Sequence, residues 1–237
     1  MRPTRPAKSS SRAWCFFIDK NPILTILYKV KVIGPNEIKK TGKLYYTSMT
    51  LSDNLSDEQL VIEIRGRDKE LYGEIIRRYQ TKLTHYLRKF IRNGDELEDV
   101  LQEVFIKAYR NLFDFNTGKR FSPWIYRIAH NEALNHIKKY KRESVSLDDQ
   151  EWEIMDESID VKKDIDNRIL KKRIEDGLAS IKDKYREPLI LFLLEQKSYE
   201  EIGDILRVPR NTVGTLVMRG KKLLREYLEK NSYGNKK

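Results

Sequence analysis

"DELEDVLQEVFIKAYRNL", residues 95–112, decides how this chain is read. In a helix each residue advances about 100°, so Leu97, Val100, Leu101, Val104, Phe105, Ala108 and Leu112 share one core-facing stripe. Asp99, Gln102, Glu103 and Arg110 lie opposite, and Ile106 lies among them. A single apolar residue on a polar face is either incidental or the centre of a contact.

The flanking sequence continues the helical pattern. Ser56 with Gln59 three residues on forms a capping box for a helix through Arg65. Further helices are predicted over about 69–91, 95–113 and 122–142, with Asn93-Gly94 and Asn116-Thr117-Gly118 as chain reversals. Residues 143–166 carry ten acidic residues against Lys162 and Lys163 and read as an unstructured acidic linker. Helices resume from about 167 to 230, followed by a short tail, 231–237. The expected fold class is therefore all-α: two small helical domains, 51–142 and 167–230, joined by that linker. Residues 1–50 differ, with a strand-like run "ILTILYKVKVIGP", and read as a flexible or spurious extension; Met49 offers an alternative start, leaving residues 1–48 in question.

Charge points to the partner. Lys and Arg number 47 against 36 Asp and Glu, a net +11, which favours a polyanion such as nucleic acid. Membrane surface and ribosome stay open on charge alone. Cys15, the lone cysteine, excludes an internal disulfide framework and fits a reducing cytoplasm. The apolar runs near the N-terminus are too short or interrupted for a signal peptide or a membrane span. His85, His130 and His136 lack metal-ligand spacing, and no catalytic constellation is visible, so neither enzyme, metal nor cofactor is expected. A phosphate-loop reading of "GTLVMRGKK" fails on count, because five residues separate Gly214 from Gly220 and Lys222 stands where Ser or Thr is needed.

"SYEEIGDILRVPRNTVGTLVMRGKKLLREYL" has helix-turn-helix spacing. Ser198 with Glu201 caps a short helix offering Ile202, Ile205 and Leu206 to the core. Arg207, Val208 and Pro209 make the turn. The second helix starts near Arg210, with Val213, Leu216, Val217 and Leu224 inward. Arg210, Asn211, Thr212 and Thr215 are placed to reach base edges of a major groove, while Arg207, Arg219, Lys221, Lys222 and Arg225 hold phosphates. A helical hairpin with a merely solvated basic face is the bland alternative.

A second basic face follows residue 116. On the helix after Pro123, Ile125, Ile128, Ala129, Ala133 and Ile137 point inward, and Arg127, Asn131, Asn135 and Lys138 outward. Asparagine is a mediocre helix former, so two of them four apart on a basic face suggest base contacts. Lys119 and Arg120 lie in a loop flanked by Phe115, Phe121, Trp124 and Tyr126, where unpaired bases could stack beside cations. Phe115 and Tyr126 are expected to be mainly core, whereas Phe121 and Trp124 are the stacking candidates.

Taken in order, "DELEDVLQEVFIKAYRNL", "FSPWIYRIAHNEALNHIKK", the acidic linker and "SYEEIGDILRVPRNTVGTL" resemble a bacterial extracytoplasmic-function sigma factor over about 56–230. The resemblance implies docking on the beta-prime clamp helices of core RNA polymerase through Asp99, Gln102 and Glu103, with Ile106 as the apolar centre, and a further contact with the beta flap. It implies minus-10 recognition by the loop 117–122 and the helix after it, with Asn131 helping to capture an extruded base. The helix-turn-helix would read the minus-35 element, and an anti-sigma protein is an additional partner the family admits. Asn211, where relatives often carry Gly, and Gly220, where Ala is frequent, depart from the pattern; Gly220 is expected to weaken its helix by about 1 kcal/mol relative to Ala. The rival readings are a stand-alone helix-turn-helix regulator and a structured-RNA or ribosome-associated protein.

Overall fold

The computed structural model describes residues 54–143 and 165–231, and the strand-like run, the alternative start and most of the acidic segment lie outside them. Among the described residues there are eight α-helices and no strand: α1 (Asp57–Gly66), α2 (Tyr72–Leu87), α3 (Gly94–Arg110), α4 (Phe121–Glu143), α5 (Ile165–Ala179), α6 (Asp183–Leu193), α7 (Tyr199–Leu206) and α8 (Arg210–Lys230). Chain contacts divide the described residues into two compact units, with the boundary between Arg78 and Tyr79.

In the first unit, the capping box opens α1 as expected: Ser56 Oγ accepts from Gln59 N at 3.2 Å, and Gln59 Oε1 accepts from Ser56 N at 2.9 Å. Leu60, Val61, Ile64, Tyr72, Ile75 and Ile76 are buried. Glu74, also buried, accepts from Arg77 and Arg78, while Arg78 Nη1 donates to Asp57 Oδ1 at 2.8 Å and to the Leu55 carbonyl at 2.9 Å. Burial raises the Glu74 pKa, but the two guanidinium groups outweigh it and the carboxyl ends below its ordinary value. This network pins the start of α1 to α2.

The second unit is built on α3 and α4. Leu97, Val100, Leu101, Val104, Phe105, Ala108 and Leu112 are all buried, which is the stripe read from the sequence. Three boundaries differ from expectation. Lys69–Leu71 forms a separate 3₁₀ turn capped by Asp68, so α2 begins at Tyr72 instead of near 69. α2 ends at Leu87 instead of near 91, because Lys89 and Phe90 switch to i→i+3 bonds that turn Phe90 and Ile91 inward. α3 ends at Arg110, where the Asn111 backbone and side chain both bond the Lys107 carbonyl, and Leu112–Asp114 forms a 3₁₀ turn.

The C-terminal helices form the helix-turn-helix. Ser198 and Glu201 make the expected capping box. The turn depends on two features beyond Pro209. Arg207 adopts φ 57°, in the left-handed region, and Val208 N donates to the Gly203 carbonyl at 3.1 Å. A Cβ on Gly203 would stand 2.9 Å from the Val208 carbonyl oxygen, so only glycine lets the chain fold back this closely. Gly220 is likewise a packing residue: its Cβ would lie 3.0 Å from the Tyr185 carbonyl and 3.3 Å from Leu189, where α8 crosses α6. The helix-propensity penalty expected at this position is thus set against a close helix crossing that a methyl group would obstruct.

Candidate polymerase and nucleic-acid interfaces

On α3, Asp99 is exposed and Gln102, Glu103 and Ile106 are half-buried, on the side away from the buried stripe. Lys107, one residue further, reaches Glu132 on α4 at 2.6 Å and Glu103 at 3.7 Å. Glu96 and His136 form a second tie between the same helices at 3.0 Å. The acidic face of α3 and the outward face of α4 are therefore held in one register.

The loop before α4 is set by Asn116, whose side-chain oxygen accepts from Gly118 N at 2.9 Å and whose carbonyl accepts from Lys119 N at 2.9 Å. This local turn leaves Lys119 and Arg120 exposed, with Arg120 3.7 Å from Glu201. Asn131, Asn135 and Lys138 are exposed and Arg127 is half-buried on α4. Asn135 Nδ2 lies 3.5 Å from Glu132 Oε1, the far edge of hydrogen bonding.

Phe121 requires a correction. It is 0% exposed and packs edge-on against Tyr79 and Phe115, with Trp124 also against it, at 5.2 to 5.5 Å between ring centroids. A ring enclosed in this way cannot stack on a base. Its spacing of four from Ile125 and eight from Ala129 places it on the core stripe, a signal the sequence carried. Trp124 is half-buried, resting on Phe115 and Phe121. Phe115 and Tyr126 are buried as expected.

On the helix-turn-helix, Arg207, Arg210, Asn211, Thr212, Thr215, Arg219, Lys221, Lys222 and Arg225 are all exposed, while Val213, Val217 and Leu224 are buried. Several of these side chains are already engaged within the domain. Thr215 Oγ1 donates to the Asn211 carbonyl at 3.2 Å, and Lys221 Nζ sits 4.1 Å from the Phe192 ring centroid. Arg210 pairs with Glu200 at 3.3 Å, but both are well exposed, so the pair yields readily to a phosphate.

Buried ionisable groups to which the sequence assigned no role line α4 on another side. His130 is 4% exposed, bonded through Nδ1 to the Tyr86 hydroxyl at 2.9 Å, and burial pushes its pKa down to about 4. Glu187 lies 3.6 Å from His130 Nε2, and burial pushes its pKa up to about 7. Near pH 6 the pair is mainly neutral, and the contact is not an ion pair. Among the described residues, no group of three His, Cys, Asp or Glu is placed to hold a metal ion, and no helix is long and apolar enough to cross a membrane.

Comparison with known proteins matches these two faces to one family. The sigma-70 region 2 profile matches residues 75–143, and the sigma-70 region 4 profile matches 171–224. The chain is 30% identical over 177 residues to the ECF RNA polymerase sigma factor SigW of Bacillus subtilis, covering 70% of this chain and 93% of that protein. It is 31% identical over 182 residues to the ECF RNA polymerase sigma-E factor of Escherichia coli K12, covering 73% and 95%. The fold is similar to that of CnrH in complex with the cytosolic domain of CnrY, at TM-score 0.56 and 20% identity over 73% of this chain and 97% of that one. It is also similar to the sigma factor RpoE bound to the anti-sigma factor NepR from Bartonella quintana, at TM-score 0.55 and 20% identity over 67% and 96%. With both regions present in order and nearly the full length of its relatives matched, the chain belongs to the extracytoplasmic-function sigma factors of the sigma-70 family.

Proposed function

We propose that the chain, acting in the cytoplasm, brings core RNA polymerase to specific promoters by using α3 for docking, the loop 117–122 with α4 for the minus-10 element, and α8 for the minus-35 duplex. The observation that carries this reading is the fixed register of α3 and α4 through Lys107–Glu132 and Glu96–His136. A polymerase seated on Asp99, Gln102, Glu103 and Ile106 thereby orients Asn131 and Asn135 towards the DNA. The beta-prime clamp helices are the partner for that acidic surface, and the beta flap for the second module.

Opening duplex DNA costs about 1.4 kcal/mol per base-pair step. Stacking or hydrogen bonding of one extruded base returns about 1–3 kcal/mol. A few contacts from Trp124, Asn131, Asn135 and the cations Lys119, Arg120, Arg127 and Lys138 are therefore comparable to the cost of melting a few steps, without ATP. RNA synthesis itself is the work of the polymerase. A stand-alone regulator is less well supported, because it would leave the acidic face of α3 without a role.

Run-off transcription with and without the chain tests this reading. Core polymerase should initiate at a specific promoter only when the chain is present. Asp99→Lys and Glu103→Lys should remove co-purification with core polymerase while helical content stays unchanged. Tight operator binding with no effect on polymerase would overturn it.

A further inference from the structure

We propose that Met218 and Gly214 form an apolar reading strip on α8 that recognises the C5-methyl group of one thymine in the major groove of the upstream promoter element. This deepens the reading of α8 as the minus-35 helix and rests on it.

The strip follows from the helix itself. Val213, Val217, Gly220 and Leu224 are buried and fix which side of α8 faces the domain. At about 100° per residue, Asn211, Gly214, Thr215 and Lys222 all fall within about 60° of Met218, on the other side. Met218 is 64% exposed there, so an unbranched apolar side chain occupies the centre of a face otherwise built of polar and basic residues. The Thr215 hydroxyl donates to the Asn211 carbonyl at 3.2 Å, which commits its proton to the backbone. Glycine is a poor helix residue, and at 214 no packing requires it: a Cβ there would meet nothing closer than Tyr199 Cε2 at 3.7 Å, an ordinary contact. At Gly203 and Gly220, by contrast, a Cβ would come within 2.9 and 3.0 Å of backbone oxygens. Gly214 stands one turn before Met218. Helical side chains lean towards the N-terminus, so the Met218 side chain covers the surface beside Gly214.

The chemistry of this strip selects among base edges. It carries neither a guanidinium fork for guanine nor an amide for adenine, Asn211 lying two turns before Met218. Thymine presents an apolar group, the C5-methyl, on its major-groove edge. The absent side chain at 214 leaves depth for that methyl against the helix backbone, and the flexible thioether chain of Met218 closes over it. The exposed cations Arg210, Arg219, Lys222 and Arg225 hold the flanking phosphates, with no acidic residue between Arg207 and Arg225 to oppose them. Burying one methyl group is worth about fourfold in affinity.

The test uses holoenzyme reconstituted from core polymerase and the full chain. A promoter is first selected by run-off from DNA randomised upstream of the start site. Each upstream thymine is then replaced singly by deoxyuridine, which lacks only the C5-methyl. One replacement should weaken run-off at limiting holoenzyme about fourfold. Met218→Ala should cost about the same on the thymine promoter and nothing further on the deoxyuridine one, whereas Met218→Leu should keep the difference. Gly214→Ala, which the fold accepts, puts a methyl group where the base methyl would sit, so deoxyuridine should then equal or exceed thymine. Melting temperatures of the three variants should not fall below that of the wild type. A selected element in which no thymine methyl matters, or a deoxyuridine penalty that survives Met218→Ala unchanged, overturns the strip; promoter-specific run-off in the same experiment leaves the proposed function standing. If the chain fails to direct core polymerase to any upstream element, the reading of α8 is overturned and the strip with it.

Discussion

Glu187→Gln gives the most quantitative handle on the packing beside α4. The carboxyl of Glu187 on α6 faces His130 of α4 and, behind it, Tyr86 of α2; Asp183 and Arg186 flank it on α6. Burial, with Asp183 adding to it and Arg186 opposing, raises its pKa from 4.5 to about 7. A carboxyl whose folded-state pKa is raised contributes stability that is fully present below about 4.5 and disappears as pH rises through about 7. The interval corresponds to at most about 3 kcal/mol. Glutamine never ionises and keeps nearly the same shape. At pH 8 the Gln variant should therefore be more stable than wild type by about 1–3 kcal/mol, whereas at pH 4.5 the two should nearly coincide. Urea titration of the full chain at both pH values, followed by circular dichroism, measures the difference. Equal stability at pH 8, or a larger difference at pH 4.5, would refute the burial of Glu187 against His130.

Asn131→Ala should reduce run-off from the cognate promoter by about fivefold to a hundredfold, equivalent to about 1–3 kcal/mol, with binding to core polymerase unchanged in a pull-down. Phe121→Ala should act on stability instead, lowering unfolding free energy by about 3–5 kcal/mol in urea titration, because the ring is fully enclosed. Gly220→Ala should destabilise despite the better helix propensity of alanine: crowding against Tyr185 and Leu189 costs about 1–3 kcal/mol against a propensity gain of about 1 kcal/mol, read as a lower melting temperature.

Periodicity made the α3 stripe, the inner face of α4 and both capping boxes legible, because each depends on residues within a few turns of one another. Phe121 was misplaced because its proximity to Lys119 and Arg120 suggested a nucleic-acid loop, although its four-residue offset from Ile125 put it with the core. Gly220 could not be judged locally. Its function lies in the approach of the Tyr185 carbonyl from α6, which intrinsic helix propensity does not contain. Glu187, Glu195 and Lys197 carry no local signal for the same reason: their partners lie 57 to 75 residues away in sequence.

α4 concentrates these demands on one helix. Ile125, Ala129 and Ala133 are committed to the core, and Ser122, Tyr126 and His130 to the segment 187–201. Arg127, Asn131, Asn135 and Lys138 remain for a partner. Ala129 and Ala133 are fully buried, while Lys107–Glu132 and Glu96–His136 tie α4 to α3. A rotation of α4 large enough to bury Asn131 would break both cross-links and expose Ile125. The side chains proposed to meet the minus-10 element are thus oriented by the same packing that builds the domain, and substitutions at Glu132 should disturb promoter recognition without touching DNA: Glu132→Gln should weaken run-off while leaving core binding intact, and a loss of core binding instead would place Lys107 and Glu132 in the docking surface.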